Sequence, residues 1–410
     1  MLNQLAAVII AFLVIPVLTK KKVKLSYALL ISTGVLSILS GLSLEIVVQA
    51  VTSVVTQLPS LNTVLTVMMV SIFGGVMKHY NIFDEIIDTM ILLIRDKKKI
   101  LVIIPAMIGV LIIPGGALLS APFIYDLGEE MKISTSRRAA INLVFRHIAT
   151  FIMPYSTTLL VILATLPELN IFKLILLNLI FVAAIVILGY LFFLKDIEVV
   201  KSPSRENAGR NLLKLIIYTS PLYICVIINV VTGLPFFITL WVSIFIIYLL
   251  SDKKDFLKTT VKSMNWHIVL TVAAVLIMKE IILNMEGLLG VFNNLISISN
   301  GSFLSIILIF LITSFFFGYI TGNQTASLAI VTPIFSQLHI SSELLNVYIY
   351  FICGATFLGY YFSPLHLCQA FTLEHMKVPT YELYKEYKFY APILLLVLFV
   401  SVFILKLIFI

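Results

Sequence analysis

Charge is what this 410-residue sequence has least of: only 12% of it is Asp, Glu, Lys or Arg, against about 25% in an average soluble protein. That shortage excludes the two or three soluble domains such a length would ordinarily hold. Cysteine is scarce too. Cys225, Cys353 and Cys368 all lie in apolar runs without CxxC spacing, which speaks against a disulfide or metal framework and for small buried hydrophobes. No metal site is expected. Also absent are HExxH, GxSxG, a P-loop and the paired aspartates of intramembrane proteases, so the chain is not expected to be an enzyme or to hydrolyse ATP on its own.

What is abundant is hydrocarbon. Sixty per cent of the residues are hydrophobic and the mean hydropathy is +1.11. Such a chain needs a lipid bilayer as its solvent, where each spanning segment satisfies its own backbone. The expected fold class is an all-α polytopic membrane protein. The net charge of +8 does not point to nucleic acid, because the basic residues cluster in short segments between apolar runs, as in cytoplasmic loops. Spans are expected at 2–18, 25–42, 61–76, 171–193, 212–231, 234–250, 267–283 and 391–409. The first has its lysines after the apolar run, the reverse of a signal peptide, and reads as a retained span. Two further helices, 139–162 and 344–371, are broken by Pro154 and Pro364, giving about ten transmembrane helices in all.

Two segments, 99–131 and 301–338, read as re-entrant hairpins. From Ile100 to Pro114 is 15 residues, or about 22 Å of helix at ~1.5 Å per residue, short of a ~30 Å hydrocarbon core. The return arm meets Asp126, Glu129 and Glu130 almost at once. A single tilted helix kinked at Pro114 is the alternative. Orientation decides between them. With both termini outside, the inside loops hold 24 of the 28 basic residues, and the outside connections at 286–300 and 339–344 hold none. Treating either hairpin as a full span would reverse every later loop.

The order of elements repeats. Gly115-Gly116 matches Gly322-Asn323 at an offset of 207, Pro122 matches Pro333 at 211, and Pro154 matches Pro364 at 210. Amphipathic stretches at 81–94 and 286–298 occupy equivalent places, and Val76-Met77-Lys78 echoes Ile277-Met278-Lys279. The domains expected are a first repeat, 1–194, a cytoplasmic linker, 195–210, and a second, inverted repeat, 211–410. Inverted repeats with discontinuous helices point to a secondary transporter.

Broken helices suit transport because their free N–H groups attract anions and their free carbonyls coordinate Na⁺. The candidate binding residues are Gly115, Gly116 and Ser120 at the first tip, Ser156 and Thr157 at its partner break, Gly322, Asn323 and Thr325 at the second tip, and Ser363 and His366 at the last break. The plain alternative for each hydroxyl is a bond to its own helix backbone. Arg146 is the candidate charge partner of an anion, with snorkelling to the interface as the other account. Asp126 and His366 are possible proton carriers; for Asp126 a water-exposed hairpin end is the competing reading. Lys279 and Glu280 read as a local ion pair.

The motifs PGGALLSAPFIYDLGEEM (114–131), FIMPYSTT (151–158), TGNQTASLAIVTP (321–333) and LGYYFSPLHLC (358–368) resemble the ion-transporter superfamily, which includes the divalent-anion/sodium symporters and citrate–metal transporters. Within it they are similar to an uncharacterised prokaryotic branch, domain of unknown function 401. The resemblance spans nearly the whole chain. It implies a homodimer whose outer spans form a scaffold and whose hairpins and broken helices form a mobile domain that moves like an elevator. The stretches 81–94 and 286–298 would be interfacial arms. The sodium–dicarboxylate relatives carry Ser-Asn-Thr at each tip, where this chain has Gly116-Ala117-Leu118 and Asn323-Gln324-Thr325.

The function expected is secondary transport of a small anionic solute, in the first place a carboxylate, across the plasma membrane, coupled to Na⁺ or H⁺ and without a further cofactor. The alternatives are a cation/proton antiporter using Asp126 and His366, and a non-transporting membrane enzyme or assembly subunit.

Overall fold

A computed structural model describes residues 2–94, 96–110, 116–200, 208–298, 301–337 and 342–409. Among them every regular element is a helix, and nine helices are long and apolar enough to cross a membrane. The chain is therefore an all-α, multi-pass membrane protein.

The first series runs α1 (Leu2–Lys20), α2 (Leu25–Leu39), α3 (Leu44–Thr56), α4 (Leu58–His79), α5 (Ile82–Leu93), α6 (Lys97–Gly109), α7 (Ala117–Glu130), α8 (Thr135–Arg146), α9 (Ala149–Ile152), α10 (Thr157–Thr165) and α11 (Ile171–Phe193). The second runs α12 (Ala208–Thr232), α13 (Phe236–Leu250), α14 (Phe256–Lys262), α15 (Trp266–Leu283), α16 (Glu286–Ile298), α17 (Phe303–Thr321), α18 (Gln324–Ser336), α19 (Ser342–Tyr361), α20 (Leu367–Met376) and α21 (Thr380–Phe409). Read side by side, α1 to α7 correspond to α12 to α18, the α8–α9 pair to α19, α10 to α20, and α11 to α21.

Packing follows that correspondence. α2 lies on α15 as α13 lies on α4, and α3 lies on α15 as α14 lies on α4. Deeper in, α10 meets α18 as α20 meets α7, and α11 meets α19 as α21 meets α8. Equivalent helices thus exchange partners between the series. The innermost elements are α18, buried from Gln324 to Phe335, and α19, whose span is 89% buried.

Local sequence explains the less obvious elements. α8 (TSRRAAINLVFR) is not apolar, yet Arg138 through Arg146 are all buried. Several of its polar groups find partners, though Asn142 Oδ1 and Arg146 NH1 do not. Arg138 donates to the carbonyls of Ile133 at 2.7 Å and Tyr125 at 3.1 Å, and Asn142 Nδ2 donates to Thr372 Oγ1 at 3.0 Å. Buried donors left unmatched would cost about 1–3 kcal/mol each. α3 was not foreseen from hydropathy. It is 13 residues long, about 20 Å, and so too short to span; Ser43 starts it by accepting from Ile46 N–H at 3.4 Å.

Both expected hairpins contain two packed antiparallel arms. α6 and α7 are tied near their open end by the Lys97–Glu130 ion pair. α17, at 19 residues, is long enough by itself to cross a membrane, unlike the 13-residue α6. It is an arm all the same, because Gly322 at φ +58° turns the chain back and α18 packs along it. The helix expected at 139–162 is interrupted twice, after Arg146 and again at Met153–Ser156. Gly115, linker residues 201–207 and the last residue of the expected second hairpin, 338, lie outside the described residues. The start of the linker is pinned to α6, where Lys97 N–H donates to the Val200 carbonyl at 3.2 Å.

Candidate functional site

Helix ends build the site. Ser156 precedes α10 and its hydroxyl accepts from Leu159 N–H at 3.3 Å while donating to the Thr150 carbonyl at 3.2 Å. The next two hydroxyls are thereby left to face outward, Thr157 at 3.3 Å and Thr158 at 3.4 Å from Thr325 Oγ1. Thr325 sits in the first turn of α18, which Asn323 caps by accepting from Ala326 N–H at 2.9 Å, a contact worth about 1 kcal/mol. Before it, Gly322 is pressed on the last break: a Cβ there would lie 2.6–2.9 Å from atoms of Leu365, and its φ already favours glycine. Across the gap α20 begins at Leu367, preceded by His366, whose side chain makes no capping bond.

These three helix starts enclose a cavity of about 430 Å³, lined also by residues of α2, α6, α8, α15 and α19. That volume suits a small solute. Gly109 lets α6 reach the end of α8: a Cβ would come within 2.0 Å of the Arg146 carbonyl.

The electrostatics of the cavity are one-sided. Arg146, Lys24, His147 and His267 line it, and no aspartate or glutamate does among the described residues. Arg146 is 5% exposed, and its NH1 has no hydrogen-bond partner. A guanidinium inside a membrane protein costs about 2.5–3.5 kcal/mol on insertion scales and is rarely left without a counter-charge. At the other end Lys24 Nζ lies 2.5 Å from His267 Nε2. Three helix N-termini add partial positive charge. The described lining therefore carries positive charge and no carboxylate.

Of the residues expected from the sequence, Arg146, Thr157, Gly322, Asn323 and Thr325 line this cavity. Ser156 stands just behind as a cap. Ser363 is fully buried and accepts from Leu365 N–H at 3.2 Å, and His366 is fully buried with its Nε2 3.1 Å from His147 Nε2. Gly116 and Ser120 are buried at the first tip, where Ser120 Oγ donates to the Ala117 carbonyl at 3.5 Å; neither lines the cavity. Asp126 is exposed on α7 and is likewise not part of it. Lys279 pairs with Glu280 at 2.7 Å, as expected, and also donates to the Ala164 carbonyl at 3.1 Å. Lys24, Asn265, His267 and Tyr360 were not singled out from the sequence. Lys24 read simply as one of a run of loop lysines, and nothing local marks it as the neighbour of His267, 243 residues away.

Fold and cavity define a multi-pass membrane protein with a cationic chamber at its helix breaks. The chain belongs to a protein family: the family described as protein of unknown function (DUF401) matches residues 2–408. No curated protein matches it.

Proposed function

We propose that this protein is a secondary active transporter for a small anionic solute, in the first place a carboxylate, driven by Na⁺ or H⁺. One observation carries the reading: a buried arginine with an unpartnered nitrogen stands in an acid-free cavity on which three helix N-termini converge. Among the described residues no acidic side chain lines the cavity, so the solute supplies the counter-charge. A carboxylate fits the planar guanidinium fork and the N–H groups of the helix starts together. Carbonyls freed at the hairpin turn would take Na⁺, and the facing His147 and His366 rings would take a proton.

Unequal packing supports alternating access. α10 lies against α4 and α15, and α18 lies against α15. Their counterparts, α20 and α7, make no comparable contact with α15 and α4 among the described residues. With the lysine-rich loops in the cytoplasm, the packed half is the outer one. The cavity, edged by Lys24 and His267, then opens inward. Exchanging the equivalent contacts would close the inner half and open the outer. The repeats 1–194 and 211–410 would be inverted about the linker, with both termini outside the plasma membrane. Resemblance to the ion-transporter superfamily adds a homodimer with an elevator movement.

A thermal-shift screen of the purified protein tests the reading, with carboxylates, inorganic oxyanions and metal cations each in Na⁺ or K⁺. At least one anion should raise the Tm, and Arg146→Gln should abolish that rise. Asn323→Ala should lose uptake of the same anion in proteoliposomes while remaining folded. Stabilisation by cations alone would favour a cation/proton antiporter. Flat uptake across all anions, with and without ion gradients, would favour a non-transporting enzyme or assembly subunit.

A further inference from the structure

At one wall of the cavity His147 and Cys368, with His366 behind them, form a group that can do more than face an anion. His147, His366 and Cys368 each bring a ligand atom, and all three atoms lie within 4.8 Å of one another. They come from two breaks that are far apart in sequence: His147 ends α8, while His366 and Cys368 open α20. Cys368 is half-buried and lines the cavity, and the two histidines are buried.

The hydrogen bonds orient one ring for ligation. His147 Nδ1 lies 2.6 Å from the Leu143 carbonyl. A carbonyl only accepts, so Nδ1 carries the proton and Nε2 keeps its lone pair. A backbone carbonyl fixing the far nitrogen is how metal-bound histidines are held. That Nε2 faces His366 Nε2 at 3.1 Å and the Tyr360 hydroxyl at 3.2 Å.

His366 is the odd group. Its Nδ1 has no hydrogen-bond partner although the residue is fully buried. If the proton is on Nε2, Nδ1 is a bare buried acceptor. If it is on Nδ1, that N–H has no acceptor, and two Nε2 lone pairs confront each other across 3.1 Å. A cation between the rings and the sulfur removes the confrontation. Two nitrogens bound at ~2.0–2.1 Å in a tetrahedral centre stand about 3.3 Å apart, so the rings need move only slightly.

We propose that His147, His366 and Cys368 form a binding site for a soft monovalent metal ion, Cu(I) in character, reached from the cavity past Cys368. Thiolate with two imidazoles selects soft or borderline ions. Charge then separates Cu(I) from Zn(II). Cu(I) with one thiolate is neutral, whereas Zn(II) with one thiolate adds a positive charge beside buried Arg146. Binding forms a Cu–S bond and releases the thiol proton to the cavity; no electron is transferred. The site does not depend on transport: absence of Cu(I) binding would leave the anion reading standing.

The test is anaerobic titration of the purified, detergent-solubilised protein with Cu(I) against a chromophoric Cu(I) chelator. One ion per chain should bind, and Cys368→Ser and His366→Gln should each lower the affinity at least a hundredfold. Cys225→Ser and Cys353→Ser should bind as wild type does. A second measurement needs no variant: Cu(I) or Ag(I) should slow maleimide labelling of Cys368 in the wild-type protein at least tenfold. No uptake of Cu(I), full uptake by Cys368→Ser, unchanged labelling, or retention of Zn(II) in preference to Cu(I) would each overturn the proposal.

Discussion

α18 and α7 hold equivalent places in the two series, as do α10 and α20, yet their surroundings differ. α10 and α18 are pressed on the long spans α4 and α15; α20 and α7 make no comparable contact with them among the described residues. Two lysines mark the difference. Lys279 on α15 is buried and reaches across to the Ala164 carbonyl at the end of α10. Its counterpart Lys78 on α4 is exposed, and so is Glu374 near the end of α20. One element order therefore supports two packings against the same kind of span. Under the proposed transport function, alternating access would exchange these equivalent contacts.

The hairpin tips give the largest test of that contrast. Gly322 adopts a positive φ and touches Leu365, whereas Gly116 has φ −58°, open to any residue. Gly322→Ala should abolish proteoliposome uptake and lower stability by at least ~1–2 kcal/mol, the left-handed penalty alone. Gly116→Ala should meet no such backbone penalty and keep most of the uptake. Equal loss from both would show that the tips are not distinguished by the packing described above.

The next effect is at the lysines. Lys279→Met leaves Glu280 without its partner in a largely buried setting and the Ala164 carbonyl without a donor. Removing one member of a buried pair costs about 3–5 kcal/mol, so the Tm should fall by several degrees. If Lys279 holds the outer half shut, the variant should also change the rate at which Cys368, which lines the cavity, reacts with maleimide. Lys78→Met should leave both measurements close to wild type, as exposed substitutions usually do. A large effect at Lys78 would mean that the inner half is held as tightly as the outer.

Much of the fold was legible because bilayer physics acts on single segments. Proline and glycine at Pro154, Pro364 and Gly322 stop helices wherever they stand, and the distribution of lysine and arginine follows loops. The amphipathic helices α5 and α16 fall within a residue of their expected bounds at each end. α3 was hidden because a capped 13-residue helix, though apolar, is too short to register as a span. The site was half legible. Arg146 and the second tip stood out as polar residues in apolar runs. His366 stood out too, but Lys24, His267 and the grouping of His366 with His147 and Cys368 did not, because each becomes chemical only through a partner on another helix. Cys368 read as a small hydrophobe; the fold, not its neighbours in sequence, places it beside two imidazoles.

The smallest expected effect separates anion transport from its nearest rival. Asp126 lies on α7, on the loosely packed side, and by the proline offset of 211 its counterpart is Gln337, just past α18. Both are exposed. A carboxylate with free access to water, outside the cavity, has no solute to bind and no buried partner whose charge it must balance. Asp126→Asn should therefore leave anion-dependent stabilisation, uptake and its pH profile within about twofold of wild type, since exposed substitutions rarely exceed ~0.5 kcal/mol. A cation/proton antiporter would behave oppositely, because a proton carrier that cannot titrate stops exchange altogether. The pH profile of the Asp126→Asn variant in proteoliposomes decides between the two, and complete loss of activity there would move the coupling site from the cavity to the first hairpin.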